Sequence, residues 1–358
     1  MTSSDTSIVF LLKNNSFNDP VDRLRGNDII TALQKKGWNA QYFDEQDNID
    51  ILIALDLDFK TNYIINRYPH KKLILDIQDD FLYENTLALK KVQTAKKSKL
   101  QKALIMFNTN GLYPTLTTIL YKYLSKKSAV HLIKKADYVI TSSFSLEKIL
   151  IKMNKNILTI PDSLDARIYN NNNNNNNSQK NICWIGTPSN IKYLLLVNNV
   201  IHEIQKKHNV NFKIITSEKI YTDINIKEII SRFKFKFEFI KWKKNTFADE
   251  VSACDIGIAP LPKGIAKSTN KILTYMACNL AVICSGSYDY EVLHEKYPDA
   301  LIYEDTHDGW YSHLDSLLSN DSKLENYSNA AMTVVKQFYT DEIVKKYESL
   351  FMSLNKSA

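Results

Sequence analysis

The sequence is short of the residues that mark stapled or fibrous chains. Only four of its 358 residues are cysteine (Cys183, Cys254, Cys278, Cys284), none forms a CxxC pair, and all lie in or beside apolar runs. That pattern favours reduced, buried thiols over zinc ligands or disulfides. Glycine and proline are also few, eight of each, against 44% hydrophobic and 24% charged residues, which is a globular composition. Long hydrophobic runs are missing as well. The N-terminal "SIVFLL" is about six residues, well below an export h-region or a membrane span. A cytoplasmic protein is the expectation. At this length two domains, each with its own core, are expected.

Acidic residues are absent from one long segment. Between Asn85 and Ala136 there are eleven lysines and neither aspartate nor glutamate, whereas the whole chain carries a net charge of +7. The rest of the chain is therefore slightly acidic. A basic stretch holding apolar patches such as "ALIMF" and "TTILYKYL" fits an anionic membrane surface or acceptor. It also fits a solvated helix face, or nucleic acid, although no nucleic-acid motif accompanies it.

What is present is alternation. "SIVFLL", "WNAQYF", "IDILIAL", "KKLILDI", "ADYVITS" and "NILTI" read as strands. Between them lie helical patterns such as "DPVDRLRGNDIITALQKKG", stopped by Gly37, and "SLEKILIKM", capped by Ser142 or Ser143. The second half repeats the scheme with strands "NICWIG", "NFKIIT", "KFEFIKW", "DIGIAPL", "LAVICSG" and "ALIYED". Alternation of this kind predicts an α/β protein with parallel sheets covered on both faces. Eight asparagines, Asn170 to Asn177, separate the halves and read as a low-complexity linker.

Ligands in open α/β sheets bind beyond the C-terminal ends of strands, against helix N-termini. Two such junctions stand out. In "CWIGTPSNIKYL", Gly186 admits close backbone approach, Thr187, Pro188 and Ser189 open a helix, and Lys192 lies about one turn in. In "CDIGIAPLPKGIAKSTNKILTYMA", Ser268 or Thr269 caps a helix bracketed by Lys267 and Lys271. Cations at a helix N-terminus oppose the dipole by some tenths of a kcal/mol, unless an anion sits there. Two basic junctions of this sort point to a diphosphate. In the first half, "LILDIQDDF" sets Asp76, Asp79 and Asp80 just after a strand. Such carboxylates act as a base, orient sugar hydroxyls, hold a metal, or only stabilise a helix start.

These stretches resemble the GT-B-fold retaining glycosyltransferases, the "glycosyl transferases group 1" family. "WIGTPSNIKYL" is similar to the family's "WIGSPxTxxYL", "FEFIKWKKNTFADEVSACDIGIAPL" to its "W…E…L…DIGIMPL", and "AKSTNKILTYMACNLAVICS" to its "GKxxxKLxxYMACGLPVVAS". The looser first-half matches are "ILDIQDDF" and "ADYVITSSFSLEKI…ILTIPDSLD".

The resemblance implies two doubly wound, Rossmann-like domains facing across a cleft. They are an acceptor domain over 1–169, a linker over 170–180, a nucleotide-sugar domain over 181–337, and a helix over 338–358 returning to the first domain. It also implies transfer from a nucleoside-diphosphate sugar without cofactor or metal, onto a glycan or lipid-linked acceptor. The setting would be cell-surface polysaccharide synthesis, with segment 85–136 docked on an anionic membrane. Gly186, Thr187, Pro188, Ser189, Lys192, Lys267, Ser268, Thr269, Lys271 and Thr274 fall on the donor side. Arg23, Asp76, Asp79 and Asp80 fall on the acceptor side, with Lys192, Lys267 and Asp80 in catalytic roles.

The chain departs from the pattern at four places. Ala266 and Thr274 stand where many relatives carry two glutamates, Thr187 replaces an arginine, and "ACNLA" replaces "ACGLP". A hydroxyl gives about half the hydrogen-bond strength of a carboxylate. The alternative reading is thus a catalytically weak or inactive scaffold subunit of a glycan assembly complex.

Overall fold

A computed structural model describes residues 5–13, 21–44, 48–57, 59–68, 70–78, 129–169, 179–218, 220 and 223–356. The chain forms two compact units, Met1–Ile160 with Leu350–Ala358, and Pro161–Ser349.

The first unit is a six-stranded sheet, paired parallel throughout. Its strands are β1 (Ser7–Leu11), β2 (Asn39–Tyr42), β3 (Ile49–Ala54), β4 (His70–Ile77), β5 (Tyr138–Thr141) and β6 (Ile157–Thr159), in the order β2-β1-β3-β4-β5-β6. Its central strands are buried on both faces and read as near-continuous apolar runs, as parallel sheets require. The helical pattern after β1 is realised in two pieces. A π-helical turn over Asp22–Asn27 leads into α1 (Asp28–Lys35), and Gly37 ends it with φ of 83°. Helix α2 (Phe59–Arg67) follows β3. Helix α3 (Phe144–Leu150) is capped by Ser143, whose hydroxyl accepts from Leu146 N at 3.2 Å.

Residues 85–128 of the basic segment lie outside the described residues. Its last turns, 129–135, are helical and place Ala129, Leu132 and Ile133 in the core. Asn154 closes that helix by donating to the carbonyls of Ile133 and Ala136, both at 2.8 Å. At these residues the apolar stripe faces the sheet of its own unit.

The second unit repeats the plan with β7 (Lys180–Ile185), β8 (Val210–Thr216), β9 (Glu238–Lys241), β10 (Ile256–Ala259), β11 (Ala281–Cys284) and β12 (Ile302–Tyr303). The order β9-β8-β7-β10-β11-β12 is that of a dinucleotide-binding Rossmann sheet. Alternate residues feed two cores. Ile182, Trp184, Ile256, Ile258, Ala281 and Ile283 enter one, and Cys183, Ile185, Ala259, Val282 and Cys284 the other. Among the described residues, the helices that cover or follow this sheet are α4 (Asn198–Lys207), α5 (Ile224–Ser231), α6 (Phe247–Ser252), α7 (Asn270–Ala277), α8 (Tyr288–Lys296), α9 (His307–Ser319), α10 (Asp321–Val335) and α11 (Thr340–Lys356). All four cysteines are free and buried in this unit.

The end of α11 groups with the first unit, where Phe351 meets Trp38 edge to face with ring centroids 5.6 Å apart. Among the described residues, no helix is long and apolar enough to cross a membrane.

Candidate functional site

In a Rossmann sheet the chain winds outward in both directions from one pair of neighbouring strands, and the crevice above their C-terminal ends is the site. Here that pair is β7 and β10. Their ladder is short, Ile256 opposite Ile182 and Gly257 opposite Cys183, and beyond it the strands are joined by a side chain. The Tyr275 hydroxyl accepts from Ile185 N and donates to the Ile258 carbonyl, each at 3.0 Å. Burial of this phenol pushes its pKa well above the ordinary value, so it stays a neutral donor. Gly257 makes room for the ring. A Cβ there would lie 2.3 Å from the tyrosine Cγ.

The loop after β7 is equally constrained. Gly186 N donates to the Ile215 carbonyl at 3.2 Å, and its own carbonyl accepts from the Thr216 hydroxyl at 2.7 Å. A Cβ on Gly186 would sit 2.7 Å from Trp184 Cζ2, so only glycine fits over the indole. The following helix begins as a 3₁₀ segment, Pro188–Val197, with Thr187 in extended backbone at the N-cap. Ser189 makes no cap. Thr187 Oγ1 instead accepts from Asn190 Nδ2 at 3.0 Å and lies 3.2 Å from Ser189 Oγ, while Pro188 occupies the first position, where no N–H is needed. The N–H groups of such a first turn have no intrahelical partner.

The second junction meets the first. Helix α7 starts at Asn270 with Thr269 in the N-cap position, and the Thr269 side chain forms no capping bond. The expected side-chain cap is therefore absent at Thr269. Lys271 turns back over Trp184, its Nζ 4.3 Å from the ring centroid and 3.2 Å from where a Gly186 Cβ would lie. Two junctions separated by 85 positions thus share one ammonium. Burial, reinforced by the neighbouring Lys267 charge, pulls the Lys271 pKa down to about 7.

The loop before α7 is tied to the turn after β11. Leu261 N donates to Ser285 Oγ at 3.1 Å, Gly264 N to the Gly286 carbonyl at 2.9 Å, and Ser287 Oγ to the Lys267 carbonyl at 3.3 Å. Gly286, at φ of 77°, packs so tightly that a Cβ would come within 2.0 Å of the Leu261 carbonyl oxygen. Lys267 and Lys192 are exposed; Lys192 Nζ rests 5.2 Å from the Tyr193 ring centroid. Thr274 is buried, and its hydroxyl donates to the Asn270 carbonyl at 2.9 Å.

Residues 179–320 match the family model described as "Glycosyl transferases group 1". The likeness is to that family's domain, over these residues alone. The site of this domain includes Trp184, Gly257 and Tyr275, to which sequence reasoning assigned no role. All three stand inside the "WIG", "DIGI" and "TYMA" stretches that carried the resemblance. The whole chain has the GT-B fold of two Rossmann-like units. It is similar to a glycosyltransferase from Rickettsia africae ESF-5 (TM-score 0.66, 11% identity, 99% of this chain and 100% of that one). It is likewise similar to Anabaena HepE in complex with UDP and glucose (0.66, 13%, 97% and 100%). A third neighbour is WaaG, a glycosyltransferase involved in lipopolysaccharide biosynthesis (0.58, 11%, 96% and 99%). No curated protein sequence matches the chain.

In the first unit, Asp76 lies one residue before the end of β4 and is fully buried. It accepts from Arg25 Nε at 2.9 and 3.0 Å and from Gln78, while Arg25 Nη1 donates to the Ile160 carbonyl at 2.7 Å. Asp76 thus anchors the π-helical turn to the ends of β4 and β6. It also borders a cavity of about 70 Å³ lined with Lys13, Asp56 and Gln78. Arg23 is half-buried, with its Nε bonded to nothing among the described residues. Asp79 and Asp80 lie outside the described residues.

Proposed function

We propose that the chain is a retaining glycosyltransferase that takes its sugar from a nucleoside-diphosphate sugar. The observation that carries this reading is the shared ammonium. Lys271 is held beside Gly186 at the β7/β10 switch point, where the 3₁₀ segment and α7 both begin. An anion there meets a fixed cation and two helix N-termini, which is the chemistry a departing diphosphate needs. Lys267 and Lys192 are the exposed cations of the same pocket, and Gly186, Thr187, Ser189, Ser268 and Thr269 supply polar contacts. The acceptor is a glycan or lipid-linked saccharide, met by Arg23, Asp79 and Asp80. The likeness to HepE, crystallised with UDP-glucose, and to WaaG supports a nucleotide-sugar donor and a cell-surface polysaccharide product. A peripheral position on the inner membrane face through segment 85–136 belongs to the same reading.

The test is a mass-spectrometric screen of sugar-nucleotide hydrolysis and transfer, paired with Lys192→Ala and Lys267→Ala. Loss of one cation facing the departing diphosphate is expected to lower turnover about 10²-fold. Unchanged turnover in both variants would remove these lysines from the reaction. The Thr274 hydroxyl, spent on its own helix, favours a second reading in which the chain binds nucleotide without turnover. Tight binding with no transfer to any acceptor is its signature.

A further inference from the structure

Lys271 stands in an electrostatic setting that works against it. Its ammonium lies over the Trp184 face, in the first turn of α7, where the helix dipole is positive. Lys267 adds a second cation from the preceding loop. Among the described residues, the other titratable group acting on it is Cys183 on β7, fully buried, with its thiol pushed well above the usual range by that burial and so neutral. Tyr275, on the same helix, is neutral for the same reason. Among the described residues no aspartate or glutamate pairs with Lys271. Ala266 in the loop before α7 and Thr274 on the helix bring no carboxylate, and the Thr274 hydroxyl is turned onto Asn270. The indole face compensates in part, since a cation–π contact is worth about 1–2 kcal/mol when desolvated. The site is thus a built cation receptor with no counter-ion among the described residues.

We propose that Lys271 couples donor binding to proton uptake: stacked on the indole at a helix start with no acid beside it, it gains its counter-ion from the arriving diphosphate and with it a proton from solvent. This rests on the diphosphate reading above and adds regulation to it. The step balances as one proton gained per diphosphate bound and one released when the nucleotide leaves. No covalent bond changes. Its consequence is a donor affinity that falls with alkalinity although the sugar diphosphate diester does not titrate in the same range.

The test is calorimetry on the full chain with UDP-, GDP-, ADP- and dTDP-glucose at pH 6. The tightest binder is then followed to pH 8.5 in buffers of low and high ionisation enthalpy. The expected result is a Kd about thirtyfold weaker at pH 8.5 than at pH 6, as one proton's linkage to a lysine at about 7 requires. Close to one proton should be taken up per ligand at the upper pH. Lys271→Arg, which stays charged throughout, should bind with a Kd that is flat in pH. Binding at pH 6 with a flat profile in the wild-type chain overturns the proton linkage and leaves the donor reading standing. Failure of all four nucleotide sugars to bind at pH 6 overturns the donor reading itself. An arginine variant as pH-sensitive as the wild type assigns the proton to another group and overturns the role of Lys271.

Discussion

At the residue scale, a lysine with a depressed pKa costs the fold something that a neutral side chain does not. In the unfolded chain Lys271 titrates near its ordinary 10.5, and in the folded domain at about 7. Below pH 7 it is charged in both states and the fold bears the full cost of desolvating it. As pH rises from 7 toward 10.5 the unfolded chain binds more protons than the folded one, so stability rises with pH. Lys271→Met should therefore stabilise the second unit. The gain should be about 1–2 kcal/mol at pH 6, after discounting for the part of the side chain that still meets solvent, and should shrink toward pH 10. Urea melts at pH 6 and pH 9.5 check this; a larger gain at the higher pH would contradict it. The same variant should lose diphosphate affinity, which is the usual relation between a strained site and its function.

At the element scale, the junction of β7 and β10 depends on one hydroxyl. Tyr275→Phe keeps the ring on Gly257 but leaves Ile185 N and the Ile258 carbonyl buried without their partner. Stranding a buried polar group costs about 1–3 kcal/mol. A loss of about 2–4 kcal/mol for the pair of groups is expected, read from the midpoint of chemical denaturation.

Much of this element geometry is visible in the sequence. Alternating apolar runs give the strands, and the glycine-then-proline and lysine-bracketed junctions give the two helix starts. The capping bond at Thr269 is not there because its backbone, at φ of −75° and ψ of 2°, is not the extended conformation that aims a cap side chain at the first turn. Trp184 and Tyr275 escape notice for a different reason. Both sit on apolar periodic positions, where a ring reads as core, and only the three-dimensional crossing of β7, β10 and α7 gives the indole face a cation and the phenol hydroxyl two backbone partners. Asp76 has the opposite fate: in sequence it looks like an acid at a ligand-facing edge, and in the fold Arg25 claims it.

At the scale of the whole molecule, the two sheets differ where it matters. The first has its order reversal between β1 and β3, and the second between β7 and β10. The proposed donor site lies wholly within the unit formed by Pro161–Ser349. Ligand bound to the native state stabilises by mass action, by about 2.7 kcal/mol at a hundredfold excess over Kd. Hydrogen exchange with a saturating nucleotide sugar should therefore show its largest slowing at the amides of 185–190 and 258–275. The sheet of the first unit should change least. Equal slowing in both units would place the ligand elsewhere.

The stacking of Lys271 on Trp184 has one more consequence, and it is optical. A positive charge held 4.3 Å above an indole shifts and quenches its emission, and the same ring beneath a neutral amine emits differently. With only four tryptophans in the chain, Trp184 is a resident fluorophore facing the one lysine whose charge changes with occupancy. The difference in emission between the full chain and its Trp184→Phe variant would then report the state of the pocket directly, without label or coupled assay.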